Sequence, residues 1–452
     1  MTLHGMISAG FLKKFTRRRL LAVLRLAALL ALLLPARGMV AAAAGVDTNA
    51  LLDEVQRAGV RYFYDFGHPV SGLAREGTGR GDDLCTTGAT GMGLFNFIVG
   101  VDRGFLSRTQ AVARLQVMLR FFGGKAERHH GVFPHWLNGA TGRTIPFSPQ
   151  DDGADLVETA FLAQGLLAVR EYFAGTGEAE AEVRRRADQL WREIEWDWFA
   201  KDDDQGARLL WHWSPRFAWA KNLAVRGFNE CHIVYLLALG SPTHAVPAKY
   251  YWQGWHHAGF AREREHFGVR VTLGRRLEMP LFFTHYSYLG FDPRTLSYQG
   301  RSYFEHFRDL CQVQVRYARA NGEKFPGYGP LWGLTASYGP EGYRAFAPGT
   351  ADNGTIAPTA ALSSLPYAPA ESLAFLEELH RNHRERLWGP YGYLDAFNLA
   401  RGWTSTKYLG IDVGPIAPMI ENHRTGLGWR IFMQAPEIRT AVRLVKESAP
   451  TP

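Results

Sequence analysis

The sequence holds only three cysteines in 452 residues, Cys85, Cys231 and Cys311. They stand far apart, with no CxxC and no Cys/His spacing, so neither a disulfide framework nor a zinc site is indicated. One disulfide is possible in an oxidising compartment, and an odd thiol is left over in either case. HExxH is absent, and the adjacent pairs His129-His130 and His256-His257 would point in different directions on a helix, so no metal and no cofactor is expected. No GxSxG elbow, Walker loop or Rossmann fingerprint occurs in a fitting context, which disfavours serine hydrolases and nucleotide enzymes. No low-complexity stretch or long linker divides the chain, so residues 45–452 read as one domain.

Basic charge is also scarce once the N-terminus is set aside. Residues 1–44 hold seven Lys/Arg and no Asp/Glu, arranged as a basic stretch, an apolar run and small residues, which is the order of a secretory signal. "TRRRLL" (Thr16–Leu21) resembles a twin-arginine export signal, and Arg25 and Pro35 interrupt the apolar run before it reaches the ~20 residues of an anchor. Taking those seven cations from the whole-chain net charge of +8 leaves a mature chain at +1. No basic stripe survives, so nucleic acid and other polyanions are excluded as partners. The expectation is a periplasmic or secreted monomer without a stable membrane anchor.

What the chain does have is apolar residues at helical spacing over about a dozen segments, among them 49–66, 87–100, 107–122, 155–173, 180–199, 229–240, 302–320, 357–365, 369–384, 415–426 and 436–447. Segments 107–122, 180–199 and 369–384 are charged on one side. Segments 87–100, 155–173, 229–240 and 357–365 are small and apolar almost all round, which means burial on every side. An inner ring of buried helices inside an outer amphipathic ring predicts an all-α fold, an (α/α) toroid. Strand signals are few. "GVFPHWLNGATGRTIPF" carries an Asn138-Gly139 turn, and "ARLLWHWSPRFAWAK" reads as a second hairpin.

The acids fall in a pattern on the buried-type helices. "DDGADLVETAF" (151–161) places Asp155 and Glu158 at capping-box spacing, a sufficient structural reason for both. Yet "RGFNECHIVYLLALG" also puts Glu230 at a helix start, where Asn229 can do the capping. "YLGIDVGPIAPMIENHRTG" sets Asp412 just upstream of Gly414 and Pro415. Parallel inner helices would bring these N-terminal ends to one mouth. Two carboxylates across a cleft suit glycosidic bond cleavage, one protonating the leaving oxygen while the other activates water or attacks the anomeric carbon. The connecting loops interleave Trp, Tyr, Phe and His with polar groups, as sugar rings with apolar faces and polar edges require. His135, Trp136, Trp213, Arg216, His285, Tyr286, Trp332, Trp403 and Tyr408 are the candidates for substrate contact.

The segments "DDLCTTGATGMGL", "DDGADLVETAFLAQGLLAVREYF", "GFNECHIVYLLALGSP", "PLFFTHYSYLGFDPR" and "YLGIDVGPIAPMIENHRTGLGW" together resemble the ordered motifs of the glucoamylase-like (α/α)6-barrel family that includes glycoside hydrolase family 144, the bacterial β-1,2-glucanases. The resemblance implies an (α/α)6 barrel acting on β-1,2-glucan, endo-acting and inverting, without metal or organic cofactor. It places the family's acidic positions on Asp155, Glu230 and Asp412, with Glu230 as general acid, Asp412 as base or water-positioning group and Asp155 in support. Glu158 is a less favoured alternative. Two other readings stay open: a glucanase of different linkage or exo mode, and a non-catalytic glucan-binding envelope protein.

Overall fold

Four helices built from small and apolar residues form the centre of the structure, a computed structural model that describes residues 47–257, 260–274, 277 and 279–450. The expected export segment, residues 1–44, lies outside the described residues. In chain order the helices are α1 (Thr48–Tyr64), α2 (Thr87–Asp102), α3 (Arg108–Gly124), α4 (Leu156–Tyr172), α5 (Glu178–Arg192), α6 (His232–Gly240), α7 (Tyr303–Ala320), α8 (Pro358–Leu362), α9 (Pro369–Glu378), α10 (Arg384–Leu387), α11 (Gly410–Val413), α12 (Ile416–Arg424), α13 (Leu427–Phe432) and α14 (Pro436–Glu447). Every residue is buried over Thr87–Gly100 of α2, Leu156–Val169 of α4 and the whole of α6 and α8, as their composition requires. By contrast, α5 buries a single stripe, Val183, Ala187, Leu190 and Trp191.

Helices α2 and α4 approach backbone to backbone. A Cβ on Gly91 would overlap Phe161 and Leu162, and one on Gly165 would overlap the Gly91 carbonyl, so glycine is needed on both sides. Their C-terminal ends are tied down by ion pairs: Arg103 Nε to the buried Glu421 Oε2 on α12 at 2.6 Å, and Arg170 Nη2 to Glu437 Oε2 on α14 at 2.7 Å. The N-terminal end of α4 carries two of the acids described below, and that of α2 carries the glycine that anchors one of them.

Several boundaries differ from the sequence reading. The helix expected over 180–199 stops at Arg192 and is followed by a 3₁₀ turn, Trp196–Phe199. The one expected over 369–384 is interrupted by a π-helical turn, Leu379–His383. The Asn138-Gly139 hairpin forms, with Trp136–Asn138 antiparallel to Thr144–Ile145 and Leu84–Thr86 added on its other side. The second hairpin has a different return arm: Leu209 pairs with Val225 and Leu210 with Ala224, while His212–Trp213 turns away to pair with Ala154–Asp155. Local alternation marked the strands; their partners lie elsewhere in the chain, before them in one case and after them in the other. Further hairpins, 261–266 with 269–273 and 336–339 with 342–345, were not anticipated. The possible disulfide does not form, because Cys85, Cys231 and Cys311 are each buried and unpaired. Among the described residues, no helix is long and apolar enough to cross a membrane.

Candidate active site

At the N-terminal ends of α2, α4 and α6 lies a cavity of about 320 Å³. Glu76, Arg80, His135, Trp136, Phe147, Glu158, Trp211, Glu230, Tyr286, Tyr343 and Ile411 are among its walls. Three carboxylates and a set of aromatic faces therefore share one space.

Glu230 comes to this cavity because the segment before α6 is pinned. The Asn229 side chain accepts the Cys231 N–H at 2.9 Å, which leaves the Glu230 carboxyl without capping duty. Ser287 Oγ donates to the Glu230 carbonyl and accepts the Ile233 N–H at 3.0 Å. That serine belongs to the 3₁₀ turn Tyr286–Tyr288, so one contact sets both Glu230 and Tyr286. Burial, helped by the charges of Glu158 and Asp155, pushes the Glu230 carboxyl from 4.5 to about 7.

Asp155 and Glu158 divide their duties. Asp155 Oδ1 accepts the Val157 and Glu158 N–H groups at 3.0 Å each, so it is the N-cap of α4. Glu158 does not reach back to complete a capping box. Its Oε2 instead accepts the Gly88 N–H at 2.8 Å, at the start of α2, and its carboxyl lines the cavity. Burial first, and the nearby Asp155 charge after it, lift Glu158 to about 7 against the opposing pull of His135. This anchor works only because residue 88 has no side chain: a Cβ there would overlap the carboxyl. Gly88→Ala is expected to displace Glu158 and lower kcat/KM on the substrate at least about tenfold, as loss of a positioned polar contact does. Steady-state kinetics beside a thermal melt check this, the melt separating the effect from unfolding.

The second oxygen of Asp155 faces two imidazoles, His135 Nδ1 at 3.2 Å and His212 Nε2 at 3.5 Å. Burial alone would raise Asp155; the two histidines outweigh it and hold the carboxyl well below its ordinary value. His135 gains in return. Burial opposes its protonation, but Glu158 and Asp155 raise it to about 10, so a cationic ring stacked on Phe147 at 4.1 Å sits in the cavity wall. His212 Nε2 also lies 3.0 Å from Asp151 Oδ2, which Lys221 Nζ approaches at 3.3 Å. Asp151, Asp155 and His212 put donor atoms within 4.8 Å of one another, a set that a divalent cation could use. Here His212 Nε2 already faces both carboxylates, and the Lys221 ammonium pairs with Asp151.

Asp412, on α11, stands behind the cavity wall and is 3% exposed. Tyr286, whose ring lines the cavity, donates its hydroxyl to Asp412 Oδ1 at 3.4 Å. Burial and the neighbouring carboxyl of Asp395 push Asp412 well above its ordinary value.

Of the twelve residues singled out from sequence, Glu230, His135, Trp136 and Tyr286 line the cavity, and Asp155 and Asp412 lie directly behind it. The others are placed elsewhere. Trp332 is buried, with Nε1 donating to the Glu371 carbonyl at 3.2 Å, and His285 is buried against Ser364 Oγ at 2.9 Å. Tyr408 donates to the Gly392 carbonyl at 2.8 Å. Trp213 packs on His129 and Trp198, Arg216 pairs with Asp152, and Trp403 sits in a two-stranded pairing with Asn398. Their loops are aromatic and rich in Gly and Pro, but rings in such loops also fill core gaps. Glu76, Arg80, Phe147, Trp211 and Tyr343 were missed; of these, the charged Gly-rich run 74–84 was visible in the sequence.

Comparison with known proteins fits this site. The Glycoamylase family model, described as "Putative glucoamylase", matches residues 222–436. An endo-β-1,2-glucanase from Chitinophaga pinensis, solved with sophorotriose and glucose, is 40% identical, with a TM-score of 0.85 over 88% of this chain and 98% of that one. A β-1,2-glucanase structure from Parabacteroides distasonis is 38% identical, with a TM-score of 0.86 over 88% of this chain and 60% of that one. A curated exo β-1,2-glucooligosaccharide sophorohydrolase from the same organism is 39% identical over 417 residues, and the chain spans 58% of its length. Identity of this order over nearly the full Chitinophaga chain makes the protein a member of the glucoamylase-like family to which these β-1,2-glucanases belong.

Proposed function

We propose that the protein hydrolyses β-1,2-linked glucan, with Glu230 as general acid. The observation that carries this is Glu230 itself, a carboxyl on an aromatic-walled cavity that keeps its proton to about pH 7. Asp412 acts as base. It is shut behind Tyr286 and cannot reach an anomeric carbon, so it acts on water, and the Tyr286 hydroxyl relays the proton to Asp412 Oδ1. As water oxygen bonds to the anomeric carbon, the glycosidic bond breaks and the leaving oxygen takes the proton of Glu230. Such a displacement inverts the anomeric centre. Asp155 supports by fixing His135, and Glu158 offers its outward oxygen to a sugar hydroxyl. Trp136, Phe147, Trp211 and Tyr343 supply stacking faces.

The alternation of all-round buried helices with one-stripe helices supports a single (α/α)6 toroid. The N-terminal segment favours a periplasmic or secreted location, and the chain acts as a monomer needing no cofactor. An endo mode is favoured by the match to nearly the whole Chitinophaga chain; the curated Parabacteroides relative favours exo release of sophorose as the second reading. Linear β-1,2-glucan decides both points. Early products of many lengths establish endo action, sophorose alone establishes exo action, and no release of reducing sugar refutes the assignment.

The general acid must be protonated, so kcat/KM is expected to fall as pH rises through about 7, where Glu230 loses its proton. A pH profile that stays flat from 6 to 9 would contradict this.

A further inference from the structure

Asp395 is a buried carboxyl that none of the steps above uses. It precedes Phe397–Asn398, and it is 6% exposed. Its Oδ2 accepts the Tyr338 N–H at 2.7 Å. Its Oδ1 is fully enclosed and has no donor, and the same is true of Asp412 Oδ2. The two carboxyls lie close enough for each to change the other's hold on its proton. Two carboxylates cannot bond without a proton between them, and two buried negative charges in contact would repel strongly. One proton on the facing oxygens removes both problems.

We propose that Asp395 is a positioning residue for the base: it shares a single proton with Asp412, so that the pair, rather than Asp412 alone, takes up the proton from the attacking water. This rests on the reading of Asp412 as base. Before the step the pair carries one proton and one negative charge. As Asp412 Oδ1 receives the proton through Tyr286, the proton on Oδ2 passes to Asp395 Oδ1, and the pair ends neutral with two protons. No charge is stranded on either residue.

The surroundings agree with a charge of one on the pair. Glu76 faces Asp412 from the loop before α2, Tyr286 and Tyr343 face it from their turn and hairpin, and Tyr62 of α1 faces Asp395. Two cations flank Tyr338, whose hydroxyl accepts from Arg80 Nε at 3.0 Å and whose ring lies 5.2 Å from Lys407 Nζ. Neither is among the charges that act on Asp395 or Asp412. Burial lifts Asp395 to about 6, and burial together with Asp395 lifts Asp412 further, so the pair keeps one proton into the neutral range.

The test is the acid limb of the pH profile on β-1,2-glucan. In D395N the amide oxygen can still accept the Tyr338 N–H while its NH₂ donates to Asp412 Oδ2, so Asp412 is held ionised and becomes a weaker base. The expected result is an acid limb moved down by about one pH unit or more, with kcat lowered about tenfold and KM unchanged. A limb that stays in place overturns the proposal. Should D395N fail to fold, carbon-13 NMR of the wild-type chain labelled at aspartate Cγ serves instead: two carboxyl resonances titrating together support the shared proton, and separate titrations at ordinary values overturn it. Full activity in D412N would sink the base assignment itself, whereas an inactive D412N beside an unshifted D395N sinks only the role of Asp395.

Discussion

Glu230→Gln is expected to lower kcat on β-1,2-glucan by about 10²–10⁴-fold, the span that a lost general acid typically costs. The substitution keeps size and shape, and the segment is held through the Glu230 carbonyl by Ser287 and through Cys231 by Asn229, neither of which touches the carboxyl. The fold therefore stays. Stability should shift in a specific direction. Because the folded protein holds this carboxyl at about 7 instead of 4.5, ionising it costs stability as pH rises between those values. The glutamine variant escapes that cost, so its melting temperature relative to wild type rises from pH 4.5 to 7. A substrate with a good leaving group needs no protonation and should lose far less rate. Unchanged turnover of the glucan would end the assignment of Glu230.

Asp412→Asn is expected to produce a loss of similar size with the opposite leaving-group behaviour. The missing function is activation of water, so a good leaving group rescues nothing. Comparing the two variants on glucan and on an aryl sophoroside separates acid from base without a bound structure. If the aryl substrate rescued D412N and not E230Q, the two roles would have to be exchanged.

The reading of the sequence succeeded where information was local. The all-round apolar character of α2, α4 and α6 gave their burial, and the Asn138-Gly139 pair gave its hairpin. Asn229 as the residue relieving Glu230 was visible because a cap and its helix are neighbours in sequence. Distant partners were not visible. Glu158 looked like the second half of a capping box, but Gly88, 70 positions earlier, offers its N–H across the helix contact and takes the side chain into the cavity. Asp395 and Asp412 come together across the pairing of Phe397–Asn398 with Trp403–Thr404, which lies between them in the sequence. Trp332 and His285 sit in loops of the right composition, but both are buried, with Trp332 Nε1 bonded to the Glu371 carbonyl and His285 Nε2 to Ser364 Oγ. Residue type marked the acids and rings that suit the chemistry; only packing decided which of them face the cavity.

The most direct measurement is proton NMR of the first product released from linear β-1,2-glucan by the wild-type protein, read before mutarotation. Hydrolysis driven by Glu230 with a water activated through Tyr286 and Asp412 yields the α-anomer at the new reducing end. A β-anomer would mean that a side chain attacks the sugar directly, and release of no product would remove the carboxylate mechanism altogether.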